Sequence, residues 1–406
     1  MLLLLGCAWS LKSFEGHKVI RAEVDSLEHL AYLLELKRNT TFDFWAEPAR
    51  LGQSVDVRVA PEQCHWLCEQ LSERHIPFRV LIEDVQALMG KQVEGREGMV
   101  TSQTGIDYTQ YHTYEEIVAW LKTLPASYPT IAQLINIGKS YEGRDLLVVR
   151  ISSNKTSGKA VWFDGGIHAR EWISTATVVY MLGNILSDYG KDPTITSLVD
   201  GGAIYVLPVF NPDGYSYTWT DDRMWRKTRS PNAGSDCVGT DPNRNWDFQW
   251  GGAGTSTDPC DDSYCGSAPF SEIEVKTVGL YIKNAGFFKG YINFHSYSQL
   301  WMSPWGYTYD LPKDYTLQNA LSGKCVAALQ AVSGTQYQYG TISNTIYPAS
   351  GSSADYTYNA GVLYSYGVEL RDTGDYGFLL PPDQIVPSGQ ETYEAVKAWA
   401  IQSFSS

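Results

Sequence analysis

The chain has 406 residues, of which 43% are hydrophobic and 19% charged, the make-up of a folded globular protein with more length than one core usually fills. Its 45 acidic residues outnumber 31 basic ones, and a formal charge of −14 argues against a binder of phosphate backbones. No stretch reaches the length of a membrane span, so neither nucleic acid nor membrane is expected as a partner.

Met1 to Ser10 (MLLLLGCAWS) is a short apolar run resembling the core of a secretory signal without its basic start, and residues 1–10 are assigned to a signal of a secreted, extracellular protein. A truncated or imperfect signal reads the same way. Asn39-Thr40-Thr41 and Asn154-Lys155-Thr156 are N-glycosylation sequons, triplets that also arise by chance. Residues 14–91 form a separate small module. His17 to Val24 alternates like a strand, Ser26 caps a helix carrying Leu27, Leu30, Leu33, Leu34 and Leu36, and Phe42–Trp45 and Val55–Val59 alternate again. Pro61 starts a second helix, and Phe78–Ile82 supplies a last strand. The order βαββαβ predicts a ferredoxin-like α+β open sandwich, an antiparallel sheet with two helices on one face. Residues 92–107 are assigned to a connector, because the stretch from Gly90 to Gly105 is polar, contains glycine and is open at Lys91 and Arg96 to a trypsin-like protease; a plain linker looks much the same.

From residue 108 to 406 strands and helices alternate, as in a sheet covered on both faces. Strands are predicted at Leu146–Ile151, Val161–Asp164, Ile204–Pro208, Tyr291–Phe294 and Leu363–Leu370. Helices are predicted to begin near Thr113, Trp172, Ser271, Tyr315 and Ser388, with Glu274 at capping-box spacing from Ser271. Asp213–Gly266 and Ser296–Asp310 read as long loops, which inside a compact domain usually carry function. Among the cysteines, Cys64 and Cys68 share a helix face, and Cys237, Cys260, Cys265 and Cys325 allow three pairings. A crosslink from Cys237 to Cys260 would close a Gly/Asn/Asp-rich loop, worth roughly 3 kcal/mol.

The chemistry centres on Asp164 to Trp172 (DGGIHAREW). His168 and Glu171 can offer an imidazole and a carboxylate to one cation if the chain turns sharply between strand and helix, although a surface histidine beside an acid has the same spacing. Catalytic zinc typically keeps three protein ligands and leaves the fourth position to water, and two histidines with one glutamate are a standard set. His295, at the end of the apolar run Gly290–Phe294, is the third candidate, placed where α/β sheets carry their chemistry.

His168-Ala-Arg-Glu171-Trp, Asn211-Pro-Asp-Gly-Tyr215, Met224-Trp-Arg226, Asp241-Pro-Asn243-Arg244-Asn-Trp, His295-Ser-Tyr297-Ser and Glu369-Leu-Arg-Asp-Thr-Gly together resemble the zinc metallocarboxypeptidases, specifically the pancreatic-type procarboxypeptidases A and B. The resemblance runs from the first module to the final helix. It implies a zymogen whose pro-domain caps the site, and an α/β catalytic domain with a mixed, twisted sheet of eight strands flanked by helices. It implies one zinc ion on His168, Glu171 and His295, with Asp241 receiving the other ring N–H of His168; a turn aspartate before Pro242 is the plainer reading of Asp241. Glu369 becomes the general base and proton shuttle, rather than the ion-pair partner of Arg371 or Arg244, and Arg226 the oxyanion stabiliser rather than a solvated surface residue. Asn243 and Arg244 would bind the substrate's terminal carboxylate, Tyr347 would fold over it, and Arg170, Tyr297 and Phe378 complete the substrate-binding set.

In the side-chain pocket, the position where the B-type enzymes place an acid is Ala354. Ile342, Ile346 and Ala349 add apolar walls, and Gly367 removes bulk, so C-terminal aromatic and large aliphatic residues are expected as substrates; a one-residue shift bringing Asp355 inward would give B-type preference for Lys and Arg. Cys237 and Cys260 match the family's shared disulfide, while Cys265 and Cys325 pair with each other or stay free. The resemblance further implies cis bonds at Ser296–Tyr297, Pro304–Trp305 and Arg371–Asp372, activation after Arg96 by a trypsin-like protease, proteinaceous inhibitors as partners, and a monomer. A noncatalytic binding protein on the same scaffold would lack a zinc ligand, the base or the clamp, and all are present.

Overall fold

The computed structural model describes residues 11–96, 105–153 and 158–406. The signal assignment, the sequon at Asn154 and the bond after Arg96 fall on or against residues outside that set. The first module runs β1 (Lys18–Glu23), α1 (Leu27–Lys37), β2 (Asp43–Ala46), β3 (Ser54–Val59), α2 (Pro61–Glu73), β4 (Phe78–Ile82) and α3 (Val85–Val93). Its sheet is antiparallel in the order β2-β3-β1-β4, the ferredoxin-like arrangement expected. Ser26 caps α1 by accepting from the His29 N–H. α3 was not foreseen: the stretch read as connector from Gly90 is helical to Val93, with Asp84 as its cap.

The second domain begins with α4 (Tyr114–Ser127), entered through a capping box between Thr113 and Glu116. Then follow β5 (Ala132–Lys139), β6 (Asp145–Ile151), β7 (Ala160–Asp164), α5 (Trp172–Asp188), α6 (Pro193–Gly201), β8 (Ala203–Leu207) and α7 (Pro212–Thr220). After a long loop come α8 (Ile273–Ala285), β9 (Phe288–Ser296), β10 (Leu300–Ser303), α9 (Tyr315–Ser333) and β11 (Gln338–Thr341). The chain closes with α10 (Ile342–Thr345), α11 (Ser353–Asn359), β12 (Tyr364–Leu370) and α12 (Ile385–Ser405). Eight strands form one mixed sheet in the order β11-β10-β12-β9-β7-β8-β6-β5. The central strands β12, β9, β7 and β8 are mutually parallel, while antiparallel pairs bring in β10 and the β6–β5 edge. Every residue of β7 and β8 is buried, because helices cover both faces of the sheet.

Several expectations need correction. Ser271 does not cap α8: the helix starts at Ile273 with Glu272 at the cap position and no side-chain cap bond, because Ser271 Oγ accepts from Asn245 and Glu274 accepts from the Tyr141 N–H. α12 starts at Ile385 rather than near Ser388, with Pro387 tolerated in its first turn. The stretch Asp213–Gly266 contains most of α7, and Ser296–Asp310 contains β10.

Cys237 and Cys260 form a disulfide, and Cys265 and Cys325 are free and buried rather than paired with each other. Because that bond closes 23 residues, the Cys237→Ala/Cys260→Ala variant is expected to lose about 3 kcal/mol of stability. The loss is read as a lower urea midpoint; an unmoved midpoint would show the loop held without the bond. The three implied cis peptides are present at Ser296–Tyr297, Pro304–Trp305 and Arg371–Asp372.

Candidate active site

β7 ends at Asp164, and the chain must reverse within a few residues to enter α5. Gly166, at φ +68°, makes that turn, and a Cβ there would lie 2.5 Å from Thr175 Oγ1. The reversal sets His168 and Glu171 at the carboxyl end of the sheet, and β9, hydrogen-bonded to β7, delivers His295 beside them. Glu171 occupies the N-cap position of α5 without capping it. Its carboxylate is turned instead toward His168 Nδ1 at 2.8 Å and His295 Nδ1 at 3.3 Å.

The donor atoms of these three buried residues all lie within 4.8 Å of one another. Asp241 Oδ1 stands 3.1 Å from His168 Nε2, so this ring edge carries the proton and Nδ1 presents its lone pair. His295 Nδ1 lies only 3.1 Å from that lone pair. Two imidazole nitrogens and a carboxylate aimed at one point fit a cation, and the nitrogen–oxygen mix fits zinc.

Asp241 is fully buried. Burial alone would raise its pKa, but Arg226 and His168 hold it well below the usual carboxylate range. Arg226 donates to Asp241 Oδ2 at 2.8 Å and reaches within 3.7 Å of Glu171, so a largely buried guanidinium stands against the metal-binding group. Glu369, the last residue but one of β12, lies directly beside His295 in the parallel β12–β9 register. Its Oε2 is covered and has no partner, and burial together with the nearby Glu171 pushes its pKa well up, against Arg226 and Arg244. Arg371 pairs with Glu391 at 2.5 Å, which removes the structural ion pair considered for Glu369.

Arg244 is 2% exposed. Its Nε donates to Gly254 O and its Nη1 to Asn243 O, while Nη2 is buried without any partner. Tyr347 stands over it with its ring centre 5.7 Å from the guanidinium carbon. Asn243 is oriented by the Ser353 N–H on its Oδ1.

Beside them Ile342, Ala349 and Ala354 are buried in one apolar cluster with Leu300 and Met302, against which Ile346 and Tyr347 pack. Gly367 pairs with Met302 across β12 and β10, and a Cβ on it would meet nothing within 4 Å, so the missing side chain leaves open space. Asp355 is fully buried and its carboxylate accepts from the N–H groups of Gly306 and Tyr307 at 2.9 to 3.0 Å. Leu300 and Met302 went unrecognised in the sequence, since the four residues of β10 are too few to give a periodic signal.

The first module covers this site. Trp45, Ala46 and Glu47 close a cavity whose other walls include His168, Glu171, Arg226, Tyr347 and Glu369. The Tyr297 hydroxyl donates to Asp56 at 2.6 Å, itself gripped by Arg21, and Trp45 packs at a tilt against Phe378 with ring centres 5.1 Å apart. Arg170 donates to Asp43 at 2.9 Å. None of these inter-module partners carries a local sequence signature.

A site of this kind is that of a metal-dependent hydrolase, carried on the strand ends of an α/β sheet and covered by a separate module. The profile of the zinc carboxypeptidases matches residues 117–395, and that of carboxypeptidase activation peptides matches residues 20–92. Carboxypeptidase A1 of Sus scrofa is 43% identical over 97% of this chain and 95% of its own length. The crystal structure of thrombin-activatable fibrinolysis inhibitor superposes with a TM-score of 0.90 at 36% identity, covering 97% of this chain and 100% of that one. Bovine thrombin-activatable fibrinolysis inhibitor, in complex with tick carboxypeptidase inhibitor, superposes at 0.70 with 40% identity over 73% of this chain and 99% of its own. The chain belongs to the zinc carboxypeptidase family and carries that family's activation peptide.

Proposed function

We propose that this zinc carboxypeptidase zymogen releases single C-terminal residues with aromatic or large aliphatic side chains, an A-type preference. The observation that carries the reading is Arg244 Nη2, a buried cationic donor without a partner beside an apolar pocket. Leaving such a group unpaired is costly, and a substrate's terminal carboxylate would complete it. That requirement restricts cutting to chain ends.

His168, Glu171 and His295 would hold the zinc ion, with Asp241 fixing the His168 ring. Zinc, when bound, supplies Lewis acidity toward the scissile carbonyl and toward water. Glu369 takes a proton from the attacking water and passes it to the leaving amine, a role suited to a covered carboxylate with a raised pKa. Arg226 stands where negative charge develops on the former carbonyl oxygen. Asn243 and Arg244 bind the terminal carboxylate, Tyr347 closes over it, and Arg170, Tyr297 and Phe378 contact residues further from the cut.

The pocket reading rests on Ile342, Ile346, Ala354 and Gly367, which offer no charge to a cation, and on Asp355 being committed to backbone N–H groups. The name of the porcine relative, a carboxypeptidase A, supports the same preference. Residues 1–10 act as a secretory signal, residues 14–91 as the activation domain and residues 108–406 as the enzyme, a secreted monomer. The connector 92–107 is cut near Arg96 by a trypsin-like protease; it lies between the stretches matched as activation peptide and as enzyme. The complex of the bovine relative with a tick inhibitor supports proteinaceous inhibitors as partners here.

Release of C-terminal Phe and Arg from blocked dipeptides, before and after trypsin and with or without a zinc chelator, tests the whole reading. Phe release is expected only after trypsin, abolished by chelator and restored by zinc, with Arg released at least tenfold more slowly. Faster Arg release would overturn the pocket, and no release at all would favour a binding protein.

A further inference from the structure

Arg170 has two carboxylates competing for one nitrogen. Its Nη1 donates to Asp43 Oδ1 at 2.9 Å and lies 3.3 Å from Asp262 Oδ2, while its Nε is buried without a partner. The guanidinium rests on the Phe378 ring, 4.3 Å from its centre, so it has little freedom to move away.

The two acids have different fates on activation. Asp43 belongs to β2 of the activation domain, where Arg58 and the Trp45 indole hold it at 2.9 Å each. It leaves with that domain. Asp262 belongs to the enzyme, two residues past Cys260 on the loop that the disulfide staples, and its side chain is about half exposed at 48%. Among the described residues its one ion pair is with Arg170.

Both acids lie in one cleft, whose enzyme-side wall includes Arg170, Arg226, Lys227, Asp261 and Asp262. Arg226 lines both this cleft and the cavity around Glu369, whereas Ile342 and Ala354 line neither. A peptide whose last residue fills the apolar pocket must send its preceding residues out elsewhere, and this cleft is the way that opens when Asp43 and Trp45 withdraw.

We propose that Asp262 is a specificity-determining residue for substrate residues upstream of the scissile bond: it inherits Arg170 from Asp43 and turns an otherwise cationic cleft toward basic side chains and away from acidic ones. The proposal rests on the assignment of the pocket beside Arg244 to the terminal residue. Without Asp262 the enzyme-side wall would hold Arg170, Arg226 and Lys227 against Asp222 and Asp261, an excess of one positive charge. With it, the charge nearest to Arg170 is matched.

The test uses the trypsin-activated full chain, as wild type, Asp262→Asn and Asp262→Glu, on blocked tripeptides ending in Phe with Glu, Gly or Lys next to it. For Asp262→Asn the ratio of kcat/KM for the Glu peptide to that for the Lys peptide is expected to rise about five- to tenfold at low ionic strength, and the change should shrink in high salt. Asp262→Glu, which keeps the charge, is expected to stay near the wild-type ratio. An unchanged ratio in Asp262→Asn, or an equal fall on all three peptides, would overturn the role of Asp262. Failure of the activated wild type to cleave even the Gly peptide would overturn the parent reading instead.

Discussion

Glu369→Gln is expected to lower kcat of the activated enzyme by about 10³- to 10⁴-fold while leaving KM within a few-fold of wild type. The expectation follows from what surrounds the carboxylate. Oε2 is covered and unpartnered, Arg371 is occupied by Glu391, and among the described residues no ion pair neutralises Glu369. Burial and the nearby Glu171 push its pKa well up against Arg226 and Arg244, and a carboxyl group that holds a proton this readily can keep the one it takes from water until the leaving amine accepts it. Glutamine keeps the shape and loses the proton-carrying oxygen. The groups assigned to substrate binding are other side chains, so the loss should fall on the chemical step. Zinc content measured by atomic absorption should remain one per chain, because Glu369 is not one of the three converging donors. A variant retaining more than a tenth of the wild-type kcat at full zinc content would sink the assignment of Glu369 as base.

The elements legible in the sequence were those whose signal is local. The βαββαβ order of the first module follows from strand alternation and from Ser26 and Pro61 as helix starts. The strand ending at Asp164 and the helix starting near Trp172 are legible from their apolar runs, and they set the His168–Glu171 spacing, ambiguous by itself, at a strand-to-helix junction. What stayed hidden depends on partners far away in the chain. Ser271 has the spacing of a cap, yet its hydroxyl is engaged by Asn245, 26 residues earlier, so tertiary contact overrode the local rule. β10 pairs β11 and β12 from 38 or more residues away, and only that pairing makes Leu300 and Met302 part of the pocket wall. Asp43 and Asp56 look like strand residues of a small domain. Their contacts to Arg170 and Tyr297 span 127 and 241 residues and have no counterpart in any local pattern.

Arg244→Ala is expected to reduce kcat/KM for peptides with a free C-terminus by about 10²- to 10³-fold, mostly through KM, while peptides with an amidated C-terminus, poor substrates of the wild type, should be almost unaffected. Arg244 has one edge engaged, with Nε on Gly254 O and Nη1 on Asn243 O, and Nη2 left bare in the interior. Asp241 does not close that gap: its Oδ2 is 4.0 Å from Nη1 and is already bonded to Arg226 at 2.8 Å. A carboxylate arriving at Nη2 therefore meets a charged donor that has already lost its water, the setting in which a charge-assisted hydrogen bond is strong. Removing the guanidinium takes away that contact and leaves the substrate's carboxylate buried opposite alanine, a change worth roughly 2 to 5 kcal/mol. An amide terminus carries no charge to be matched, so the variant should lose little further activity on it. If Arg244 served only to brace the loop between Asn243 and Gly254, truncation would depress cleavage of both peptides alike, and the ratio between them would not move.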